Sequence, residues 1–333
     1  MNPLAPGSAL MPALYILPPR VRGSTAIRAT AIAVLAAGVA APLLRRRSRL
    51  PPAAVLLPAA AAPLALCVLT PRSRRRDLAV CVLQMWAYLA AYEMPADDPE
   101  QLSRRVHLRY PVAIDRVLGG GAIPSLRLQR RFHGPGPLSP LERVLVWAHW
   151  IWFMVPHGTL VYILLRRRER FGMSAARMYA VFDLGAVVYW LAPTAPPWYA
   201  ADRGLLEDGQ QRRLRRLMTE YGEQFWRDGW TPIYSFLAGN PVAAMPSVHF
   251  ATSIMGAHLL SEQGPVEGAV AWTYALTLGV ALVYLGEHYV VDLLAGLTLA
   301  EAVRRAAPVA RPAATGLTWG LGRLETLARG GAA

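Results

Sequence analysis

The chain has 333 residues, of which 54% are hydrophobic and 17% are charged. Soluble domains are typically about 45–50% apolar and about 25% charged, so this composition favours a membrane-embedded protein. The formal net charge is +14, and all 35 basic residues are arginine. Because the arginines stand in short clusters at the ends of apolar runs, they indicate membrane topology and argue against a nucleic-acid partner.

Apolar runs with few charges recur along the chain, each approaching the roughly 20 residues that a helix needs to cross a bilayer. In chain order they cover residues 26–44, 53–69, 78–94, 144–165, 178–191, 248–260, 269–285 and 290–302. The sequence therefore predicts an all-α, polytopic transmembrane helical bundle of about eight spans, with six as the lower limit. The second run contains Pro58 and Pro63, so its crossing is left open.

The segments around these runs divide the chain further. Residues 1–23 are rich in proline and predict a disordered tail ahead of the N-terminal membrane spans at 24–95. Residues 96–140 are too charged to span and are expected to lie along the membrane interface. A second membrane domain is predicted at 141–305, with a long polar loop inside it, followed by a cytoplasmic tail at 306–333.

Arginine clusters predict the orientation, because cytoplasmic loops carry an excess of basic residues. When the spans are counted, the clusters at 72–76, 166–170 and 304–311 fall on one side, which is expected to be cytoplasmic. The long loop and the corner at 286–288 then lie on the extracytoplasmic side. The cluster at 45–49 disagrees, because it falls on the extracytoplasmic side if both of the first two runs cross.

A Pro-Ser-x-His sequence opens the sixth run, at Pro246, Ser247 and His249. Proline suits the first turn of a helix, so Ser247 and His249 are expected at the extracytoplasmic end of a transmembrane helix. The free backbone N–H groups and the helix dipole at such an end favour an anion such as phosphate, to which Ser247 can add a hydroxyl donor. A histidine in this place can give a proton to a leaving oxygen.

A second histidine, His288, stands at the start of the last run, four residues before Asp292. On a helix the two share one face, so the carboxylate can hold one ring nitrogen protonated and leave the other free as a nucleophile. Together with His249 they supply the parts for phosphoryl transfer through a phosphohistidine. No third ligand stands at a clear spacing, so no metal and no cofactor is predicted. Glu287 is left with two interpretations, tuning of the site or binding of a headgroup hydroxyl.

These motifs resemble those of the type 2 phosphatidic acid phosphatase superfamily. Within it, the stretches 243–249 and 288–292 and the Pro-Thr-Ala-Pro-Pro-Trp sequence at 193–198 look like the inositol phosphorylceramide synthase branch and its bacterial relatives. The resemblance covers roughly residues 140–305 and makes 141–305 the expected catalytic membrane domain.

The resemblance also implies roles for individual residues. It implies His288 as the nucleophile and Asp292 as its orienting partner. It implies His249 as the acid and base, and Ser247 as a phosphate contact. His149, near the extracytoplasmic end of its span, is a further candidate for substrate contact, because ionisable residues inside a membrane are often functional.

The chain departs from the superfamily's phosphatases, which have lysine and arginine in a first motif and an arginine shortly before the second histidine. It contains no lysine, and no arginine stands between Arg227 and Arg304. The phosphate charge is therefore expected to be met by arginines outside these helices, since bidentate arginine contacts commonly hold phosphate. The candidates are Arg109, Arg116, Arg143, Arg203 and Arg227.

Three functions remain compatible with the sequence. The favoured one is a lipid phosphotransferase, which moves a phosphoryl headgroup such as phosphoinositol from a lipid donor to a hydroxyl acceptor. The second is a lipid phosphate phosphatase with water as acceptor, and the third is a transporter or an inactive protein on the same fold. An integral protein of the bacterial plasma membrane is expected, with an extracytoplasmic active site and a lipid phosphate substrate, whereas the oligomeric state is left open.

Overall fold

The computed structural model describes residues 19–134, 136–206, 214–232 and 239–330. Across these residues the secondary structure is helical, without a β-strand, which confirms the predicted all-α class. The predicted N-terminal tail lies outside the described residues as far as residue 18, and the first helix begins at Pro19.

The helices are α1 (Pro19–Leu44), α2 (Pro52–Leu69), α3 (Arg74–Glu93), α4 (Pro99–Arg105), α5 (Arg109–Leu118), α6 (Pro124–Phe132), α7 (Pro140–Trp150), α8 (Met154–Arg166), α9 (Arg168–Leu191), α10 (Pro197–Ala201), α11 (Leu217–Trp226), α12 (Val248–Ser261), α13 (Pro265–Tyr284) and α14 (Val290–Ala328). Short 3-10 turns lie at Met94–Asp97, Ile151–Phe153 and Arg227–Gly229.

Five segments of the described chain are long and apolar enough to cross a membrane. They are Ser24–Leu44, Pro52–Leu69, Pro140–Arg166, Arg168–Leu191 and Pro265–Tyr284. The proline-bearing second run is therefore among them. By contrast, α3 begins with three arginines and an aspartate, α12 has only 14 residues, and the apolar start of α14 soon meets charged residues. A helical membrane bundle is confirmed, and the number of eight spans stays a prediction.

α12 lies at the centre of the bundle, in contact with α8, α9, α13 and α14. Nine of its residues are buried, because helices pack around most of its circumference. Glycine permits a close approach of two helices here, since a Cβ added to Gly296 of α14 would lie 2.6 Å from the backbone oxygen of Ser247. Small residues at helix crossings are common in membrane bundles, and this one brings the starts of α12 and α14 together.

The arginine cluster that disagreed with the topology rule lies at the same end of the bundle as the starts of α12 and α14. Arg45 forms ion pairs with Glu93 at 2.7 Å and with Asp97 at 2.8 Å, both at the end of α3. The neighbouring Tyr92 accepts a hydrogen bond at its carbonyl from the side chain of Asn240, which precedes α12. Acidic residues therefore offset part of this cluster's charge.

The other arginine clusters lie at the opposite end. There Arg76 pairs with Glu325 at 3.3 Å, and Arg168 pairs with Asp77 at 3.2 Å. Glu325 belongs to α14, which continues to Ala328, so most of the segment predicted as a tail is helical. The ion pair with Arg76 holds the far end of this helix against the start of α3.

The connection predicted to lie along the membrane interface forms α4, α5 and α6. Val112 and Leu126 of this segment are buried in one apolar cluster with Leu206, Leu214 and Tyr289. The segment therefore packs between the long loop and the start of α14. This packing position follows from the apolar residues on one face of α5 and of α6, which pack against other parts of the protein.

Candidate active site

The starts of α12 and α14 bring three ionisable side chains into contact. His288 Nδ1 lies 3.3 Å from Asp292 Oδ2, and His288 Nε2 lies 3.2 Å from His249 Nδ1. His288 is 3% exposed and Asp292 is fully buried. The two histidines are 39 positions apart in the sequence. They lie in contact at the same end of the bundle, where both were predicted.

Asp292 is itself fixed by the backbone, since its Oδ2 also accepts the N–H of Tyr289 at 2.9 Å. A carboxylate accepts hydrogen bonds and donates none, so the Nδ1 of His288 carries the proton that faces it. The Nε2 of His288 is then the unprotonated nitrogen, and it points towards His249.

His249 is enclosed by two rings from the junction of α7 and α8. The His149 ring stacks on it with a centroid distance of 5.0 Å and an interplanar angle of 25°. The Trp152 ring lies 4.0 Å from it, and the Trp152 indole N–H donates to Thr252 Oγ1 at 3.0 Å. The 3-10 turn at Ile151–Phe153 breaks the helix between these residues and lets both reach His249. His149 thus contacts a neighbouring imidazole, whereas its predicted contact with substrate stays a prediction.

The backbone N–H groups at the start of α14 are already bonded to carboxylates. Asp115 of α5 accepts the N–H of Val290 at 2.9 Å and that of Val291 at 3.0 Å, one with each carboxylate oxygen. Asp292 accepts the N–H of Tyr289. This helix end is therefore closed to a further anion.

The start of α12 is different. Ser247 Oγ accepts the N–H of Phe250 at 3.3 Å, and the Ser247 N–H donates to the Asp292 carbonyl at 3.0 Å. The Val248 N–H is a hydrogen-bond partner of the Tyr189 hydroxyl, whereas the His249 N–H has no acceptor among the residues described above. Of the two helix starts, this is the one that can receive an anion beside the imidazoles.

Asp115 is a residue that sequence reasoning did not select. It is fully buried, and burial raises the pKa of its carboxyl against the two backbone hydrogen bonds that lower it. Its partners lie 175 and 176 positions further along the chain, so no local pattern signals the contact. Because Val290 and Val291 stand two and three positions after His288, Asp115 helps to fix the place where His288 enters the site.

The Pro-Thr-Ala-Pro-Pro stretch packs against the residues that precede the Pro-Ser-x-His sequence. Thr194 pairs as an isolated parallel bridge with His107 on one side and Ala243 on the other. The Tyr110 hydroxyl and Thr194 Oγ1 lie 2.9 Å apart. These bonds join the interfacial segment, the long loop and the residues before α12, which fixes the start of that helix.

A family model described as the PAP2 superfamily matches residues 112–304, more than half of the chain. The chain belongs to the PAP2 superfamily. The matched range includes the two histidine motifs and Asp115. Membership of this superfamily indicates an enzyme of the phosphatase or phosphotransferase kind.

Two curated proteins of the superfamily's inositol phosphorylceramide synthase branch are similar to this PAP2 chain. The inositol phosphorylceramide synthase catalytic subunit of Schizosaccharomyces pombe is 26% identical over 250 residues, which cover 71% of this chain and 55% of that protein. The inositol phosphorylceramide synthase of Candida albicans is 26% identical over 233 residues, covering 66% of this chain and 46% of that protein. The chain spans about half the length of these relatives, and the predicted resemblance is confirmed. No solved structure matches it significantly.

The arginines expected to bind phosphate in this PAP2 chain lie around the His249 end. Arg203 is exposed, with its guanidinium 3.6 Å from the centre of the Tyr199 ring. Arg116 is half-buried near the end of α5, and Arg227 is exposed at the end of α11. Within the described residues none of the three contacts an imidazole of the site, and their role in binding stays a prediction.

Another arginine, Arg216, which sequence reasoning did not name, lies within electrostatic reach of Glu287, the residue before His288. Its guanidinium carbon is 4.0 Å from the centre of the Trp198 ring, and its charge acts on the carboxyl of Glu287, next to His288. The side chain of Gln129 holds this part of the loop in place, because it bonds to the backbone of Arg215 and to the carbonyl of Tyr284. The neighbouring run of arginines at 212–216 was the available signal.

A cavity of about 630 Å³ lies deeper in the bundle, between α1, α3 and α8. Its lining is almost entirely apolar and includes Leu78, Trp86 and Phe153, and it does not include His249 or His288. It is therefore an apolar pocket, separate from the polar site. In the described residues no group of three or more potential ligands could hold a metal ion.

Proposed function

We propose that this protein is a membrane-embedded lipid phosphotransferase that moves a phosphoryl headgroup, such as phosphoinositol, from a lipid donor to a hydroxyl acceptor. The proposal rests on two side-chain contacts, from Asp292 to His288 and from His288 to His249. They join a carboxylate, a nucleophilic imidazole and a second imidazole that can carry a proton. The similarity to inositol phosphorylceramide synthases supports the choice of headgroup.

In the first step, the Nε2 of His288 attacks the phosphorus of the donor lipid. A bond forms between this nitrogen and phosphorus, and the bond from phosphorus to the lipid oxygen breaks. His249 acts as an imidazolium, gives one ring proton to the departing oxygen and becomes neutral, and the oxygen leaves as a hydroxyl. Asp292 stabilises the positive charge that develops on the His288 ring and keeps Nδ1 protonated. The phosphorus atom is proposed to lie between the imidazole rings of His249 and His288.

In the second step, the acceptor hydroxyl attacks the same phosphorus. His249 takes the hydroxyl proton, the acceptor oxygen bonds to phosphorus, and the bond to His288 Nε2 breaks. Both residues return to their starting states. His249 can serve both directions of proton transfer, because its ring lies next to the nitrogen that bonds to phosphorus.

The phosphate oxygens need donors as the charge shifts between them. The backbone N–H of His249 and the hydroxyl of Ser247 are proposed to bind them. Arg116, Arg203 and Arg227 are proposed to supply positive charge from the segments around the site, and His149 to line it. Arginine suits this role because its guanidinium can bond to two phosphate oxygens at once.

We propose a bacterial plasma membrane as the location, with the site on the extracytoplasmic side. The arginine clusters around 72–76, 166–170 and 304–311 at the opposite end support this orientation, because basic loops are retained in the cytoplasm. The cluster near the site, at 45–49, is partly offset by acidic residues.

The purified protein, reconstituted with inositol-labelled phosphatidylinositol and a lipid with a free hydroxyl, tests the proposal. Transfer predicts a new labelled lipid that depends on the acceptor. Release of free labelled inositol phosphate, unchanged by the acceptor lipid, would instead identify the hydrolase in which water attacks. A His288→Ala protein is the control in both cases. Wild-type protein that forms neither product would contradict the proposal.

A further inference from the structure

A carboxylate that the proposed mechanism does not use lies directly beside His288. Glu287 occupies the corner between α13 and α14, where its backbone N–H bonds to the Leu282 carbonyl at 3.0 Å. The side chain is half-buried, and its Oε1 is buried without a hydrogen-bond partner among the described residues. Buried polar atoms are nearly always paired, so an unpaired one next to a reactive group points to a donor supplied by a ligand.

The surroundings of this carboxylate are charged and aromatic. The Arg216 guanidinium lies over the Trp198 ring at 4.0 Å, and the Trp198 backbone N–H bonds to the Gly286 carbonyl at 3.1 Å. Burial raises the pKa of Glu287, whereas the charge of Arg216, the imidazole of His288 and a hydrogen bond from the Trp198 side chain lower it, so that Oε1 is the unpaired oxygen of a carboxyl that already has one partner. All three groups therefore lie within electrostatic reach of the Glu287 carboxyl.

This combination suits one class of substrate better than another. A phosphomonoester carries about −1.5 to −2 charges at neutral pH, so a carboxylate next to the phosphoryl-accepting nitrogen repels it. A phosphodiester carries a single negative charge, which Arg216 can balance. A headgroup with several hydroxyls also offers a hydrogen-bond donor to Glu287 Oε1. Hydrogen bonds to a carboxylate are stronger than those between neutral groups.

We propose that Glu287, Arg216 and Trp198 form a headgroup subsite in which Glu287 accepts a hydrogen bond from a hydroxyl of a polyol headgroup. The site then takes phosphodiesters with hydroxyl-rich headgroups in preference to phosphomonoesters. This inference rests on the proposed function, because it names the headgroup that His288 receives.

Binding tests the subsite without turnover. Calorimetry on the full-length protein in lipid nanodiscs compares glycerophosphoinositol, a diester with a polyol, with glycerol 3-phosphate, a monoester. We expect wild-type protein to bind the diester at least about tenfold more tightly, the effect of one hydrogen bond to a charged group. Glu287→Ala should abolish this preference. Glu287→Gln, which keeps the shape and removes the charge, should tighten binding of the monoester.

Glu223→Ala is the matched control, because Glu223 is an exposed glutamate on α11 at the same end of the bundle. It should retain the wild-type preference. Equal affinities in the wild-type protein, or a preference that survives in Glu287→Ala, would overturn the subsite. Wild-type protein that prefers the diester in binding but does not turn over phosphatidylinositol contradicts the proposed function alone. His288-dependent turnover without the preference contradicts this inference alone.

Discussion

Removal of Asp115 isolates the effect of holding the start of α14 in place. In Asp115→Ala, the N–H groups of Val290 and Val291 lose acceptors at 2.9 and 3.0 Å. Each hydrogen bond to a charged group contributes about 1.5–3 kcal/mol. Burial raises the pKa of Asp115, so part of this gain is already offset by the cost of burying the charge. A net loss of about 2–4 kcal/mol follows.

The loss should fall on activity as well as on stability, because Val290 follows His288 by two positions. A displacement of about 1 Å at a reacting group can lower the rate by about 100-fold. We therefore expect kcat of Asp115→Ala to fall about 100-fold with KM changed only a few-fold, since the phosphate site at α12 is untouched. Asp115→Asn keeps one acceptor oxygen and should recover part of the rate.

The assay combines lipid turnover with hydrogen–deuterium exchange of the peptide that contains Val290 and Val291. Asp98→Ala is the control, because Asp98 also accepts a backbone N–H, that of Gln101 at 2.9 Å, at an exposed helix start. Exchange at the start of α14 should rise in Asp115→Ala alone. Wild-type kcat together with unchanged exchange in that variant would refute the positioning role.

Three further changes probe other parts of the account. Gly296→Ala places a Cβ 2.6 Å from the Ser247 oxygen and should lower kcat by roughly tenfold or more, whereas Gly316→Ala on the same helix, with open space around it, should stabilise the fold by about 0.5–1 kcal/mol in thermal unfolding. Asp292→Asn should favour the wrong tautomer of His288 and slow turnover by roughly 10³–10⁴-fold at unchanged melting temperature, and a loss below tenfold would contradict the tautomer argument. Burial opposes ionisation of Asp97, but its hydrogen bonds to Arg45 and the neighbouring arginine outweigh this and lower its pKa. Its contribution to stability is therefore present above the ordinary aspartate pKa of about 3.9 and lost as the pH falls through the lowered value, so Asp97→Asn should lower the melting temperature at pH 7 but not at pH values below the lowered pKa.

The parts of the site that are coded locally were predictable from the sequence. The spacing of four residues predicted the contact between His288 and Asp292, and the two side chains do meet, although α14 begins at Val290 and His288 lies two residues before it. The meeting of His249 with His288 followed from counting spans, because both stand at helix starts on one side. The apolar runs likewise predicted the helical class.

The parts that depend on distant segments were not predictable. Asp115 binds backbone atoms 175 positions away, and backbone atoms leave no side-chain signature in a sequence. The packing of Trp152 against His249 depends on a 3-10 turn inside an apolar run that the sequence predicts as one continuous helix. The closeness of Arg216 to Glu287 depends on how the long loop folds back, which Gln129 fixes from another segment.

The central claim is a covalent phosphohistidine on His288, and trapping it is the most direct test. Wild-type protein is mixed with phosphatidylinositol labelled at phosphorus, quenched within the first turnover, and digested for mass spectrometry. We predict acid-labile label on the peptide that contains His288 and no label in His288→Ala. In His249→Ala, we expect label to accumulate when the donor carries a good leaving group in place of the lipid alcohol. Label on another residue, full activity in His288→Ala, or activity that a chelator removes and zinc restores would contradict the account.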